Sequence, residues 1–214
     1  MYGIHKPTIK EKILIFCAEI IYLIIAYYLL FIVYEKSAIS IGLFIALIIT
    51  TVRLTAMMFI WLPRGIGWQE AIMNSAAFGI YYLGFPILLI IGKQEPNIIV
   101  LIMGWVLFLV GSILNTASEL LRKPFKDNPA NKGKLYTGGL FKHAIHINYL
   151  GDCLWVLGLA LISNNIYSLL IPLFLLLVFV FGYIPKSDDY LQTKYGEQFT
   201  AYKKKTKKLI PFIW

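Results

Sequence analysis

Thr137 to Asp152 reads TGGLFKHAIHINYLGD, which sets glycines, two histidines, an asparagine, a tyrosine and an acid at the mouth of an apolar segment. Polar groups at that depth in a greasy chain are costly and call for a reason. Asn148 and Asp152 stand four residues apart and so share one helical face. The apolar run that follows continues for about 15 residues before Ser163-Asn164-Asn165, short of the roughly 20 needed to cross a bilayer. A short helix of this kind carries its polar start inside the membrane thickness, which is tolerated where that start lines a cavity. Gly138-Gly139 just before it allow tight backbone approach and a sharp re-entry.

Outward from this stretch the chain reads as an all-α integral membrane protein. Its 214 residues are 59% hydrophobic and only 14% charged, with a mean hydropathy of +0.72, which removes it from the soluble globular class. Apolar runs at Ile13 to Tyr34, Ala38 to Leu62, Ala71 to Ile91 and Ile98 to Leu121 each suffice for a span, and runs at Asn148 to Ile162 and Tyr167 to Ile184 bring the count to about six. Ile13 to Tyr34 is too long for the apolar core of a signal peptide and is expected to be the first helix. Cys17 and Cys153 both fall within apolar runs, which predicts buried thiols without a disulfide framework.

Six spans put both termini on one side. Of the 20 lysines and arginines, 17 then share that side, Lys36 and Lys93 lie opposite, and Arg53 is inside a span. The positive-inside rule makes the crowded side, with both termini, cytoplasmic. The +9 net charge sits in juxtamembrane loops and the tail, which fits anionic lipid headgroups and not nucleic acid. The segment Lys123 to Thr137 has turn chemistry throughout and is expected to be a cytoplasmic loop. Tyr190, Leu191, Tyr195, Phe199 and Tyr202 space an amphipathic C-terminal segment, with Leu209 to Trp214 tucking back toward the membrane.

Few ionisable groups lie inside the spans. Glu19 is about two turns into the first helix and Arg53 about three turns before the end of the second; each is expected to face the bundle interior, either paired with the other or serving a site. Asn115, Glu119 and Arg122, at i, i+4 and i+7, line one face at the end of the fourth helix. The short loop Pro63 to Glu70 holds a GIG turn without the preceding strand or third glycine of a dinucleotide fingerprint. The Tyr81-Tyr82 pair reads as packing. His143 and His146 lack a carboxylate or cysteine at ligand spacing, so no metal site is expected. What remains is a set of donors, Asn115, Arg122, Lys134, Asn148 and Tyr149, with the acids Glu119 and Asp152, converging on one cytoplasm-facing cavity. That mixture suits a cofactor bearing ribose and phosphate.

The block GGLF, then NYLGD after a histidine, then YLQTKYGEQFTAYKKKTKKLIPF, resembles the C-terminal domain of the steroid 5-alpha-reductase family. The wider group includes the isoprenylcysteine carboxyl methyltransferases with their RHPxYxG block. The resemblance covers Ser112 to Trp214 and implies a cofactor-binding domain over 112–214, with 1–111 on the substrate side. It implies NADPH contacts at Arg53, Asn115, Glu119, Arg122, Lys134, Asn148, Tyr149, Asp152 and Tyr190. The family's RHPNYxGE stands here as Ile145-His146-Ile147-Asn148-Tyr149-Leu150-Gly151-Asp152, with isoleucines for the arginine and the proline. Glu19 falls near the family's substrate-polarising acid, while Thr50 stands near the expected tyrosine, so that either another tyrosine, such as Tyr22 or Tyr81, supplies the proton or the chemistry differs. The implied activity is NADPH-dependent reduction of an activated carbon-carbon double bond in a lipophilic, steroid- or isoprenoid-like substrate. The alternatives are an S-adenosylmethionine-dependent membrane methyltransferase and a lipid-binding relative without chemistry.

Overall fold

A computed structural model describes residues 8–61, 65–92 and 97–214. Five helices are long and apolar enough to cross a membrane: α1 (Ile9–Tyr34), α2 (Ala38–Trp61), α3 (Trp68–Gly92), α4 (Ile98–Asp127) and α6 (Ile166–Tyr195). Between the last two lies the shorter apolar α5 (Ile147–Ile162), and α7 (Glu197–Lys205) completes the set. The chain is an all-α multi-pass membrane protein. Exposed Ile24, Val52, Ile102 and Phe181 give it the apolar exterior that lipid requires. Lys6, Arg64 and Lys93 of the charge count, and the turn at Pro63, lie outside the described residues.

The sixth expected span is α5, and at 16 residues it is a partial one. A second difference concerns Lys123 to Thr137, expected to be loop from its first residue. Instead α4 runs on to Asp127 with Pro124 inside it. Pro124 has no N–H to give the Leu120 carbonyl one turn back, so the helix continues past it at the loss of that bond. Lys123 Nζ, 2.6 Å from Asp127 Oδ2, braces the last turn. Turn chemistry begins at Asn128, whose side chain accepts from the Ala130 N–H. At 30 residues, α4 extends about 45 Å, well beyond a 30 Å hydrocarbon layer, so its polar end projects past the apolar zone.

Four of the long helices contain a π-helical turn, at Leu29–Tyr34, Met57–Trp61, Ile80–Gly84 and Phe179–Tyr183. Such turns re-aim side chains relative to a regular helix and recur at functional sites.

The chain packs as two compact units, one built from the chain up to Val106 with Leu157–Ile171, the other from Leu107–Val156 with Pro172–Trp214. In the first, α1 packs on α2 and α3 around Ile15, Met58, Ile66 and Ala71. Ser37 and Ser40 form a reciprocal capping box at the start of α2. Asn165 Nδ2 donates to the Leu88 carbonyl at 2.6 Å, which ties the α5–α6 turn to α3.

The second unit is built on the crossing of α4 and α5. A Cβ added at Gly111 would stand 2.3 Å from the Trp155 nitrogen, and one at Gly151 would stand 2.5 Å from the Asn115 nitrogen. Backbone meets backbone at both points, which only glycine permits. The tail folds over this crossing: α6 breaks at Gly196, held at φ 52°, and Tyr195, Phe199 and Tyr202 bury against Ile145. This is the amphipathic packing expected of the tail. Leu209 is buried, whereas Phe212 and Ile213 are exposed; Leu209 and Ile210 N–H groups both donate to the Trp214 carbonyl and close a terminal turn.

Candidate functional site

In the second unit the glycine crossing brings the polar face of α4 onto the mouth of α5. Asn115 Nδ2 donates to Asp152 Oδ1 at 2.9 Å and to the Asn148 carbonyl at 3.2 Å. Trp155 Nε1 donates to the same Asp152 oxygen at 2.9 Å. Asn115 and Asp152, both expected to hold a cofactor, thus also lock two helices together. Such a lock is strong in a low-dielectric setting because each partner would otherwise be buried without one. The side-chain amide of Asn148 makes no hydrogen bond among the described residues.

One turn along α4, Glu119 pairs with Arg122, whose guanidinium carbon also stands 5.4 Å from the centre of the Phe141 ring. Phe141 is held in turn by Tyr202, whose hydroxyl donates to the Phe141 carbonyl. Burial pushes the Tyr202 phenol up, which keeps it a donor. Lys134 stands exposed in the loop. Tyr190 accepts from Lys194 Nζ at 2.8 Å.

His146 is the main surprise of this unit. Read from sequence as lacking a partner, it is buried with its Nε2 2.9 Å from Asp188 Oδ1. The other Asp188 oxygen lies 3.8 Å from both Lys203 and Lys208 Nζ. The Ile145 and His146 N–H groups donate to the Lys207 and Lys208 carbonyls at 2.8 and 2.9 Å. These contacts strap the basic tail across the mouth of α5. The His146 ring stacks on Tyr149 at 5.4 Å, and Tyr149 on Phe179 at 4.6 Å. Phe179 opens the π-turn of α6, so the stack depends on that local change of pitch. No sequence spacing signals this arrangement, since His146 and Asp188 are 42 residues apart.

The first unit holds a separate polar cluster around Glu19, which is fully buried. Thr55 Oγ1 donates to its Oε2 at 3.5 Å, and its Oε1 has no partner among the described residues. Arg53, also buried, lies close enough to act on Glu19 electrostatically. Tyr82 belongs to this cluster. It is fully buried, its hydroxyl is 2.7 Å from Thr51 Oγ1, and it feels the charge of both Glu19 and Arg53. Thr51 Oγ1 already donates to the Leu47 carbonyl at 3.0 Å, so Tyr82 is the donor to Thr51. Thr50 bonds the Ala46 carbonyl of its own helix. Tyr82, part of the pair read from sequence as packing, lies in the π-turn of α3. Thr51 and Thr55 also line an apolar cavity of about 490 Å³ between α1 and α2, walled by Phe16, Ile20, Leu23, Ile48, Val52 and Phe59.

Residues 68–206 match the family model described as a protein of unknown function, DUF1295, and the chain belongs to this steroid 5-alpha-reductase-like family. Among curated proteins it is 43% identical over 88 residues to a probable O-methyltransferase of Ustilaginoidea virens, covering 41% of this chain and 31% of that protein. It is 30% identical over 110 residues to 3-oxo-5-alpha-steroid 4-dehydrogenase 1 of Rattus norvegicus, covering 51% and 40%. It is 30% identical over 79 residues to the protein-S-isoprenylcysteine O-methyltransferase of Schizosaccharomyces pombe, covering 37% and 34%. The aligned segments thus span about a third to two fifths of these relatives.

Proposed function

We propose that the protein is a membrane reductase that uses NADPH to saturate a carbon-carbon double bond conjugated to a carbonyl in a lipophilic substrate. The observation that carries this reading is the cluster in the first unit. A fully buried carboxyl with one oxygen lacking a partner among the described residues lies beside Tyr82 and behind Thr55, and it is Thr55 and Thr51, not the acid itself, that line the apolar cavity. A cavity of that size and lining suits a flat or chain-like hydrocarbon body, with a few polar groups to fix one end. In its neutral form Glu19 would donate to the substrate carbonyl oxygen. Tyr82, released from Thr51, would offer a second donor, and together they would hold the negative charge that develops on that oxygen. When bound, NADPH supplies the hydride.

The second unit offers groups of the right chemistry to hold that cofactor. Arg122 and Lys134 supply countercharge for phosphate, Glu119 and the side chain of Asn148 suit ribose hydroxyls, and Tyr149 and Tyr190 offer ring faces and hydroxyls. Two buried hydroxyls on the same helix face, at Ser112 and Thr116, have no partner among the described residues, as expected where a ligand belongs. This reading places both termini and the cofactor on the cytoplasmic side, in keeping with the basic tail and loops.

A second reading, methyl transfer from S-adenosylmethionine, is favoured by the 43% identity to a probable O-methyltransferase. Against it, the position of the methyltransferases' arginine is held by Ile145, which is buried against Tyr195, Phe199 and Tyr202. The test is turnover in nanodiscs with a panel of lipophilic enones. NADPH oxidation should be lost in Glu19→Gln and reduced in Tyr82→Phe. Methylated products from labelled S-adenosylmethionine, with no NADPH oxidation, would replace this reading with the second.

A further inference from the structure

Hydroxyls inside apolar helices ordinarily bond a carbonyl of their own helix one turn back. This chain follows that habit at Thr50, Thr51, Ser75, Ser118 and Ser163, with distances of 2.8 to 3.0 Å. Ser112 and Thr116 depart from it. Both hydroxyl oxygens are buried, Ser112 is 7% exposed overall, and neither oxygen has a hydrogen-bond partner among the described residues. Leaving a buried polar group without a partner is costly, and here two such groups stand one turn apart on one helix.

Their place on α4 says what they face. Ser112 and Glu119 are seven residues apart and so fall on the same face, with Thr116 and Asn115 to either side. This is the stripe that ends in Glu119 and Arg122. Ser112 lies about 10 Å farther into the apolar zone than Glu119. Along this stripe the charged groups stand near the helix end and neutral hydroxyls stand deep. A ligand that matches it has phosphates toward Arg122 and an uncharged polar head inward. In a nicotinamide dinucleotide, that head is the carboxamide of the nicotinamide, which can both donate to and accept from a hydroxyl.

We propose that Ser112 and Thr116 bind the nicotinamide end of the dinucleotide, which rests on the NADPH reading above and extends it to residues that no resemblance assigns. The test compares two ligands on the full chain in detergent: NADPH, and 2′,5′-ADP, which keeps the adenine side and lacks the nicotinamide. The pair Ser112→Ala with Thr116→Val should weaken NADPH about tenfold while leaving 2′,5′-ADP unchanged, and Thr116→Ser should bind NADPH like the natural chain. Without ligand, the double variant should unfold at the same temperature or higher, because two orphaned hydroxyls are gone. Equal loss of both ligands, or unchanged NADPH affinity in the double variant, overturns the assignment. A natural chain that binds S-adenosylmethionine and neither nucleotide instead overturns the NADPH reading beneath it.

Discussion

The α4–α5 crossing and the surroundings of Glu19 treat buried polarity in opposite ways. At the α4–α5 crossing, Asn115, Asp152 and Trp155 answer one another at 2.9 Å, and His146 answers Asp188 at the same distance. Around Glu19 the bonding is looser: a 3.5 Å contact to Thr55 and one carboxyl oxygen without a partner among the described residues. The difference teaches that a strong polar signal in the sequence has two physical sources. In the second unit much of it is architecture, two helices pinned so closely that only glycine fits between them. In the first unit the architecture leaves polarity unused, and unused polarity in an apolar interior is what chemistry draws on.

If this contrast is right, removing a pin should cost more stability than removing the acid. Gly151→Ala should have the largest effect, about 3 kcal/mol or failure to fold, since a methyl would stand 2.5 Å from backbone. Gly182→Ala, where a Cβ meets nothing within 4 Å, should leave the unfolding temperature within the range of neutral changes. Next comes Asp152→Ala, which removes the acceptor that Asn115 Nδ2 and Trp155 Nε1 share and should cost about 1–3 kcal/mol. Asp188→Asn should lower global stability less, yet it loosens the tail; trypsin should then cut between Lys203 and Lys208 several times faster than in the natural chain. Glu19→Gln should have the smallest effect on stability, near zero or favourable, because a neutral amide replaces a buried carboxyl. A Glu19→Gln variant as unstable as Gly151→Ala would erase the contrast.

The long helices were legible because apolar runs of 18 or more residues have few other fates. The short α5 was legible too, from its length and from the polar residues at its mouth. The end of α4 was not. Pro124 and its polar neighbours read as a loop, but the helix runs through Pro124 and Lys123 braces Asp127 across it. Asn115 and Asp152 were found by face and spacing, whereas the bond between them was not, because helix faces say nothing about how closely two helices approach. His146 was set aside for want of a nearby acid, and its acid came from 42 residues away. The Tyr81-Tyr82 pair reads as packing because nothing in the sequence near it signals the buried acid and arginine that Tyr82 meets from other helices.

We propose above that the second unit holds a nicotinamide dinucleotide. The most direct test is thermal unfolding of the purified chain with saturating NADPH or S-adenosylmethionine, each at about 100 times its expected dissociation constant, where a bound ligand contributes about 2.7 kcal/mol. The account predicts a rise in unfolding temperature of several degrees with NADPH, lost in Arg122→Ala, and none with S-adenosylmethionine. A rise with S-adenosylmethionine alone would contradict it.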